Sequence, residues 1–312
     1  MNNRIAVLGA TGHTGSFVVA ELRRRGATPV PCGRGTDLAA VFRGVDAVIN
    51  CAGPFAATAA PVIEAAIRAG IPYLDVTAEL EVVTDTFAGF ADATIPIVPA
   101  AAFYGGLGDL LATAAVGDWP ATDQLTIAYA LSSWHPTAGT RATGRVSAQR
   151  RDGRRVAYTG HRLQWRTGDA PRTEWTFPAP VGTRPVVGEF TTADSVTIPT
   201  HLDTPEIVTY MSSNAADDLH APDSSGPVAV DDRGRSAQTF LVEVVARSHG
   251  AQRRLAASGR DIYAVTAPLV VEAALRILAG TGDTAGVASV ATRFDPKDFL
   301  SSLSPQHLTL AW

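Results

Sequence analysis

Three glycines at three-residue spacing are the strongest chemical signal in the sequence. They lie in GATGHTG, residues 9–15, directly after an apolar run and before a helical pattern. Such a loop predicts a tight turn at Gly9, close approach of a phosphate at Gly12 and close helix–strand packing at Gly15. The backbone N–H groups at the helix start would then face a pyrophosphate, assisted by the helix dipole. We therefore expect a dinucleotide site here.

The choice between coenzymes depends on the end of the next apolar strand. An acid at this place normally binds the 2′-hydroxyl of NAD, but the sequence reads CGRG at 32–35, with no acid before Asp37. Arg34 can meet a 2′-phosphate with two hydrogen bonds, so we predict NADP(H) rather than NAD(H). The alternative is that Arg34 is an ordinary surface arginine in a loop.

The turn after the third predicted strand should also line the cofactor, because ligands bind outside the carboxyl ends of parallel strands. It reads NCAGPF at 50–55. A tight turn without any ligand role is the alternative. The predicted cofactor-binding residues are Gly9, Thr11, Gly12, His13, Thr14, Gly15, Arg34, Asn50, Ala52, Gly53 and Pro54.

Three residues are candidates for the chemistry itself, in which a nicotinamide transfers hydride and the protein supplies position and one proton. Tyr104 either donates a proton to a developing amine or oxyanion, or packs under a domain junction. Glu79 either caps a helix N-terminus or faces the nicotinamide and a substrate amine. His135 is either an acid–base group or a structural histidine.

Residues 141–172 contain nine arginines and two acids, Asp152 and Asp169. Such a run either attracts a carboxylate-bearing substrate or forms a solvated hairpin face. The net charge of −4 and the absence of an aromatic platform beside these arginines disfavour nucleic acid as a partner.

Lysine usage excludes several chemistries, because Lys297 is the one lysine in the sequence. A phosphate-binding Gly-Lys-Ser/Thr loop is absent, and so is the tyrosine–lysine pair of conventional ketone reductases.

Cys32 and Cys51 form no CxxC pair, and we predict buried thiols and no metal site. No run approaches the roughly 20 apolar residues of a membrane span, so we predict a cytoplasmic protein without a membrane partner.

The surrounding pattern predicts the elements that position these residues. In the first third, predicted strands at 4–8, 28–32, 47–51, 72–76 and 95–98 alternate with helices at 16–25, 61–69, 79–91 and 107–116. Strands are then predicted at 125–131, 146–150, 174–177, 196–198, 207–211, 238–246 and 253–259, with a long loop at 212–236 and a helix at 265–279. We therefore predict an α/β fold, a Rossmann-type doubly wound parallel sheet with an inserted, sheet-rich α+β domain. The predicted boundaries are 1–118 plus 263–312 for the dinucleotide-binding domain and 119–262 for the inserted substrate or dimerisation domain.

Several segments together resemble the saccharopine dehydrogenase-like (saccharopine reductase) family. They are GATGHTG at 9–15, NCAGPF at 50–55, AGIPYLDVT at 69–77, PAAAFYGGLGD at 99–109 and FDPKDFL at 294–300. The resemblance implies a Rossmann domain interrupted by a sheet-rich domain, an active site in the cleft between them, and nicotinamide chemistry, commonly imine reduction. Some relatives are enoyl reductases. The sequence departs from the family pattern at Ala100, where glycine is usual.

These observations predict an NADP(H)-dependent reductase of a C=N bond in a small amine- or amino-acid-derived substrate, acting as a homodimer. Two alternatives remain open. An enoyl (C=C) reductase would have a more apolar pocket and no ordered carboxylate contacts, and a regulator would bind NADP(H) without turnover.

Overall fold

Two β-sheets organise the chain, and helices cover them. The computed structural model describes residues 3–33, 35–221, 225–282 and 284–312. The strands are β1 Arg4–Leu8, β2 Thr28–Cys32, β3 Ala47–Asn50, β4 Tyr73–Asp75, β5 Pro96–Val98, β6 Gln124–Leu131, β7 Arg155–Thr159, β8 Leu163–Arg166, β9 Arg172–Thr176, β10 Thr183–Gly188, β11 Glu206–Ser212, β12 Thr239–Ser248, β13 Ala251–Arg260, β14 Gly286–Val287 and β15 Thr309–Ala311. The α-helices are α1 His13–Arg24, α2 Leu38–Phe42, α3 Phe55–Ala69, α4 Leu80–Gly89, α5 Gly108–Val116, α6 Ala138–Arg150, α7 Asp194–Thr197, α8 Ser213–His220, α9 Ile262–Leu278, α10 Val290–Arg293 and α11 Pro296–Leu303.

The first sheet is parallel throughout, in the order β14-β5-β4-β3-β1-β2. Its central strands are continuous apolar runs because helices cover both faces. Val7 and Ile49 point into one buried cluster, on the side of α1 and α9, while Ala6 and Val48 point into another, on the side of α3. The predicted doubly wound parallel sheet is confirmed.

The second sheet has nine strands, in the order β15-β13-β12-β6-β11-β10-β9, with β7 and β8 joined at β11. Its pairings are antiparallel except that β11 runs parallel to β6. Helix α5 packs on β12 and β13, and apolar side chains from both sheets belong to one continuous core. This confirms the prediction of a second, sheet-rich unit.

Two predicted strands of this unit are wrong. Residues 146–150 lie in α6, because the Thr137 hydroxyl accepts a hydrogen bond from the Thr140 N–H and starts a helix there. Residues 196–198 lie in α7 and the single 3₁₀ turn that follows it. The predicted loop at 212–236 contains α8, and residues 222–224 of that loop lie outside the described residues.

Helix α3 begins six residues earlier than the pattern around Pro61 predicts, so this proline lies inside the helix and not in its first turn. A contact with a distant segment of the chain causes this earlier start. The Glu79 carboxylate accepts hydrogen bonds from the N–H groups of Phe55 and Ala56, which satisfies the start of the helix from a distant part of the chain.

The last 50 residues contribute to both sheets, because β14 pairs with β5 whereas β15 pairs with β13. The boundaries 1–118 plus 263–312 and 119–262 therefore stay a proposal about how the chain divides. Among the helices of the described residues, none combines the length and apolar character that a membrane crossing requires.

We expect Gly15→Ala to destabilise the protein by about 3 kcal/mol, because overpacking against the backbone cannot relax. A Cβ at this position would lie 2.1 Å from the Gly9 carbonyl oxygen. Gly144→Ala is the matched control, because its Cβ would meet nothing within 4 Å. That change should stabilise α6 by about 0.5–1 kcal/mol. Urea unfolding of both variants measures the difference, and equal stability of the two would contradict the packing argument.

Candidate active site

A cavity of about 740 Å³ opens where the carboxyl ends of the parallel strands face the second sheet. Its walls come from the loop before α1, the ends of β2, β3 and β4, the turn after β5, helix α6 and the start of α9. This is the edge at which α/β sheets bind ligands. The cavity therefore brings together segments that are far apart in the sequence.

The glycine loop has the backbone geometry that its spacing predicts. Gly9 has a φ of 70°, in the region that favours glycine, and an added Cβ would lie 2.8 Å from the Cys51 carbonyl oxygen. Helix α1 makes its first internal hydrogen bond from the Ser16 N–H to the Gly12 carbonyl, and no side chain of the described residues caps it. The N–H groups of its first turn are thus left for a ligand at the positive end of the helix dipole.

Most of the predicted cofactor-binding residues meet at this cavity. Those that line it are Gly9, Thr11, Gly12, His13, Thr14, Ala52 and Gly53. Gly15, Asn50 and Pro54 are not among the lining residues, and Arg34 lies outside the described residues.

Asn50 shapes the turn after β3 from inside the protein. Its amide nitrogen donates to the Thr58 hydroxyl at 3.2 Å and to the Tyr73 hydroxyl at 3.3 Å, while its Oδ1 accepts from the Ala52 N–H at 3.0 Å. Because all of these partners belong to the protein, the Asn50 side chain supports the lining residues Ala52 and Gly53 from behind.

Glu79 lines the cavity but its carboxylate holds the backbone of another segment. Oε1 accepts from the Phe55 N–H at 2.7 Å and Oε2 accepts from the Ala56 N–H at 3.0 Å, and Thr143 adds a side-chain hydrogen bond. Burial raises the pKa of Glu79, and the hydrogen bonds from Phe55 and Ala56 oppose this rise. The Glu79 side chain thus caps α3, whereas at the start of α4, where Glu79 is the N-cap residue, it makes no capping hydrogen bond.

Tyr104 lies in an irregular turn, Phe103–Leu107, in which Gly105 has a φ of 104°. Its ring stacks on Trp134, with centroids 5.5 Å apart and planes 28° from parallel. The Tyr104 hydroxyl is buried at the cavity and has no hydrogen-bond partner among the described residues. Burial and the nearby Tyr263 and Asp194 raise the pKa of Tyr104 well above its usual value. The hydroxyl is therefore neutral, and no described residue uses its hydrogen-bonding capacity.

His135 is exposed and does not line the cavity, so the structure does not bring this candidate to the other two. Its neighbour Trp134 lies there instead. The Trp134 indole N–H donates to the Tyr263 hydroxyl at 3.1 Å, and this hydroxyl also contacts the Thr137 N–H and the Thr140 hydroxyl. Tyr263, at the start of α9, thus holds the segment that leads from β6 to α6.

Sequence reasoning missed a buried acid behind the cavity wall. Asp194 accepts hydrogen bonds from the hydroxyls of Tyr129 and Thr192, and Thr192 lines the cavity. Burial raises the pKa of Asp194 to about 6, against the opposing effect of these two hydrogen bonds. The three residues come from β6 and from the segment after β10, and no local pattern links them.

The arginine-rich run is not simply a solvated hairpin face, since it includes most of α6. Its arginines pair largely with acids: Arg150 with Asp85, Arg151 with Glu81, Arg154 with Asp152, Arg155 and Arg166 with Glu189, and Arg172 with Asp217. Of the nine, only Arg151 is among the described residues that line the cavity.

No protein-family model matches the sequence, and no curated protein is significantly similar to it. Solved structures share its architecture. Apo saccharopine dehydrogenase (L-Glu forming) from Saccharomyces cerevisiae matches with a TM-score of 0.64 at 10% identity, over 99% of both chains. DAP dehydrogenase from C. glutamicum, in complex with DAP, matches with a TM-score of 0.49 at 12% identity, over 97% of this chain and 98% of that one. At such identities the first match shows a common two-sheet fold.

We expect Glu79→Gln to lower the free energy of unfolding by about 1–3 kcal/mol, because an amide cannot accept both backbone hydrogen bonds at the start of α3. Glu64→Gln on the same helix is the control, since the Glu64 side chain is 58% exposed. Urea unfolding at neutral pH compares the two variants. A loss no larger for Glu79→Gln than for Glu64→Gln would show that the cap does not hold the helix.

Proposed function

We propose that the protein is an NADP(H)-dependent oxidoreductase that reduces a C=N bond in a small amine- or amino-acid-derived substrate. The main support for this proposal is that the cofactor loop and Tyr104 line the same cavity. It is lined both by the loop before α1, whose first turn has no side-chain cap among the described residues, and by Tyr104, whose buried hydroxyl has no hydrogen-bond partner among them. The fold likeness to saccharopine dehydrogenase supports a dehydrogenase architecture.

In this proposal the pyrophosphate of the cofactor lies at the N-terminus of α1, against Gly12. The adenosine extends toward Cys32 and Gly33, which line the cavity at the end of β2. Arg34 follows them in the sequence, and no acid occurs before Asp37, which supports the choice of NADP(H). The bound nicotinamide supplies the hydride.

The charge change of the reaction favours C=N over C=C reduction at this site. Hydride addition to a protonated imine removes a positive charge, whereas addition to an enone creates an oxyanion that needs preorganised donors. The acids Glu79 and Asp194 lie at or just behind the cavity wall, and they favour positive charge there. A buried Tyr104 with a raised pKa is a poor source of protons.

We therefore assign Tyr104 a hydrogen-bonding role. The imine enters protonated, and its N–H donates to the Tyr104 hydroxyl oxygen. The hydride forms the new C–H bond, the π electrons of C=N become the lone pair on nitrogen, and a neutral amine results. Glu79 keeps its structural role as the cap of α3, and it contributes negative charge beside the substrate.

An enoyl reductase is the second candidate, because Tyr104, Trp134 and Phe190 form an aromatic wall in the cavity. Such a wall fits a flat, apolar substrate equally well. A regulator that binds NADP(H) would show binding without turnover of either substrate class.

The inserted unit is also our proposed homodimer contact, through the open edges of its sheet.

The cofactor assignment predicts that NADPH binds at least about tenfold more tightly than NADH, and that Arg34→Ala removes most of this difference. Fluorescence titration of the purified protein with each dinucleotide measures both affinities. Arg43→Ala is the matched control, since Arg43 is an exposed arginine nearby in the sequence. Preferential NADH binding that Arg34→Ala leaves unchanged would refute the NADP(H) assignment while sparing the dinucleotide site.

The role of Tyr104 predicts that Tyr104→Phe lowers kcat/KM for an imine by about 10- to 100-fold, the usual effect of losing a hydrogen bond to a charged group. NADPH affinity should stay unchanged. The rates of the unaltered protein and of Tyr104→Phe should both fall as the pH rises through the pKa of the imine, because the imine enters protonated. Tyr158→Phe, a buried tyrosine that does not line the cavity, is the control. A loss of about 10⁴-fold would point to proton donation by Tyr104 instead.

A further inference from the structure

Few charged side chains reach the cavity. Among the described residues that line it, those with ionisable acidic or basic groups other than tyrosine and cysteine are His13, Glu79 and Arg151. Burial lowers the pKa of His13, which keeps the imidazole neutral near pH 7. The Glu79 carboxyl group accepts hydrogen bonds from the backbone of α3. Arg151 is therefore the one permanent cation of the described lining.

Arg151 is held by an ion pair. Its Nε lies 3.0 Å from Oε1 of Glu81, and the Ser147 hydroxyl donates to Oε2 of the same carboxylate at 2.7 Å. The Glu81 side chain is only 9% exposed. If Arg151 turned to a substrate carboxylate, Glu81 would stay buried without its cation, and this is costly. Nε also donates to the Ser147 carbonyl at 3.2 Å, so this side of the guanidinium is held, and the ion pair weakens the attraction of Arg151 for an anionic substrate.

No other arginine or lysine is among the described residues that line the cavity. Arg150 points to Asp85, and Arg155 and Arg166 share Glu189. The residues outside the description include one basic side chain, Arg34, and it directly follows Gly33 at the β2 end of the cavity. A carboxylate bound near Tyr104 would thus meet no arginine or lysine of the described lining that is not already paired with an acid, and its desolvation would be costly.

The same region suits a cation well. The rings of Tyr104, Trp134 and Phe190 form a contiguous wall, with centroid distances of 5.5 Å and 6.2 Å between neighbours. Aromatic faces attract cations, most strongly where water is excluded. The buried Tyr104 hydroxyl has no partner among the described residues and can accept an N–H hydrogen bond, and the carboxylates of Glu79 and Asp194 add negative potential.

We propose that the substrate is an amine-derived imine that carries no carboxylate and binds as a cation, with its ring against the wall formed by Tyr104, Trp134 and Phe190. This inference rests on the proposed function and narrows it. The amino-acid-derived half of the substrate class is disfavoured, because Arg151, the one permanent cation among the described lining residues, is already paired with Glu81. Cyclic or aryl imines fit best, since a flat ring covers the aromatic wall while the nitrogen reaches Tyr104.

A binding measurement tests this without depending on turnover. The protein saturated with NADP⁺ is titrated with tetrahydroisoquinoline and, separately, with the same ring carrying a carboxylate on the carbon next to nitrogen. We expect the Kd of the plain amine to be at least about tenfold lower. Equal affinities, tighter binding of the carboxylate, or binding of neither compound would overturn the inference. NADPH-dependent reduction of dihydroisoquinoline is assayed in parallel, so failure of the reaction and failure of the charge preference are separate results.

Glu81→Gln gives a sharper test, because it leaves Arg151 without its acid while keeping the side-chain shape. The Kd of the carboxylate-bearing amine should fall at least about tenfold relative to the unaltered protein, and that of the plain amine should not fall. Asp85→Asn is the matched control on the same helix, since it releases Arg150, which does not line the cavity. Unchanged selectivity in Glu81→Gln, or an equal change in Asp85→Asn, would show that the Arg151–Glu81 pair does not set it.

Discussion

The close contact between the start of α1 and the Gly9 carbonyl oxygen is the constraint on which the site depends. With any side chain at position 15, the helix could not begin so near the end of β1. This contact directs the unpaired N–H groups of α1 into the cavity, while Gly9 in turn lies against the turn that follows β3. Helix α1 packs on α9, so the same contact also fixes Tyr263 and, through it, Trp134. The cofactor loop and the aromatic wall are thus positioned by one piece of backbone packing.

The sequence predicted the first sheet well because its information is local. Most of its strands are short apolar runs that end at glycine or a polar turn, and its longer helices can be recognised from their periodicity. The five predicted strands appear within a few residues of their predicted bounds, whereas the two-residue β14 and the five-residue α2 were not predicted. Helix α3 begins earlier than predicted because Glu79 caps it from outside the segment. Because Glu79 lies 24 residues after Phe55, the sequence of α3 itself does not indicate this cap.

The second sheet and the part of the cavity around Tyr104 were less predictable, because they depend on contacts between residues that are distant in the sequence. Residues 146–150 alternate in polarity like a strand, yet the Thr137 cap and the contact of Ser147 with Glu81 place them on a helix. Asp194, Tyr129 and Thr192 meet only after folding, so their cluster has no sequence signature. Conversely, the nine arginines formed a conspicuous pattern, but most pair with acids that are distant in sequence. The sequence shows how many arginines this run contains, but it does not show which acids they pair with.

The hydrogen bonds around Tyr263 have a consequence for how molecules enter the cavity. The chain leaves β6 for α6 past Trp134 and returns from β13 into α9 at Tyr263, so these bonds tie the outgoing and returning segments together. Two of these bonds go to the start of α6, because Thr137 is its N-cap residue and Thr140 lies in its first turn. Moving α6 away from the cavity would therefore break them together with the ion pairs Arg150–Asp85 and Arg151–Glu81. Solvent reaches the first of these pairs, and dissolved salt screens it, whereas Glu81 in the second is buried.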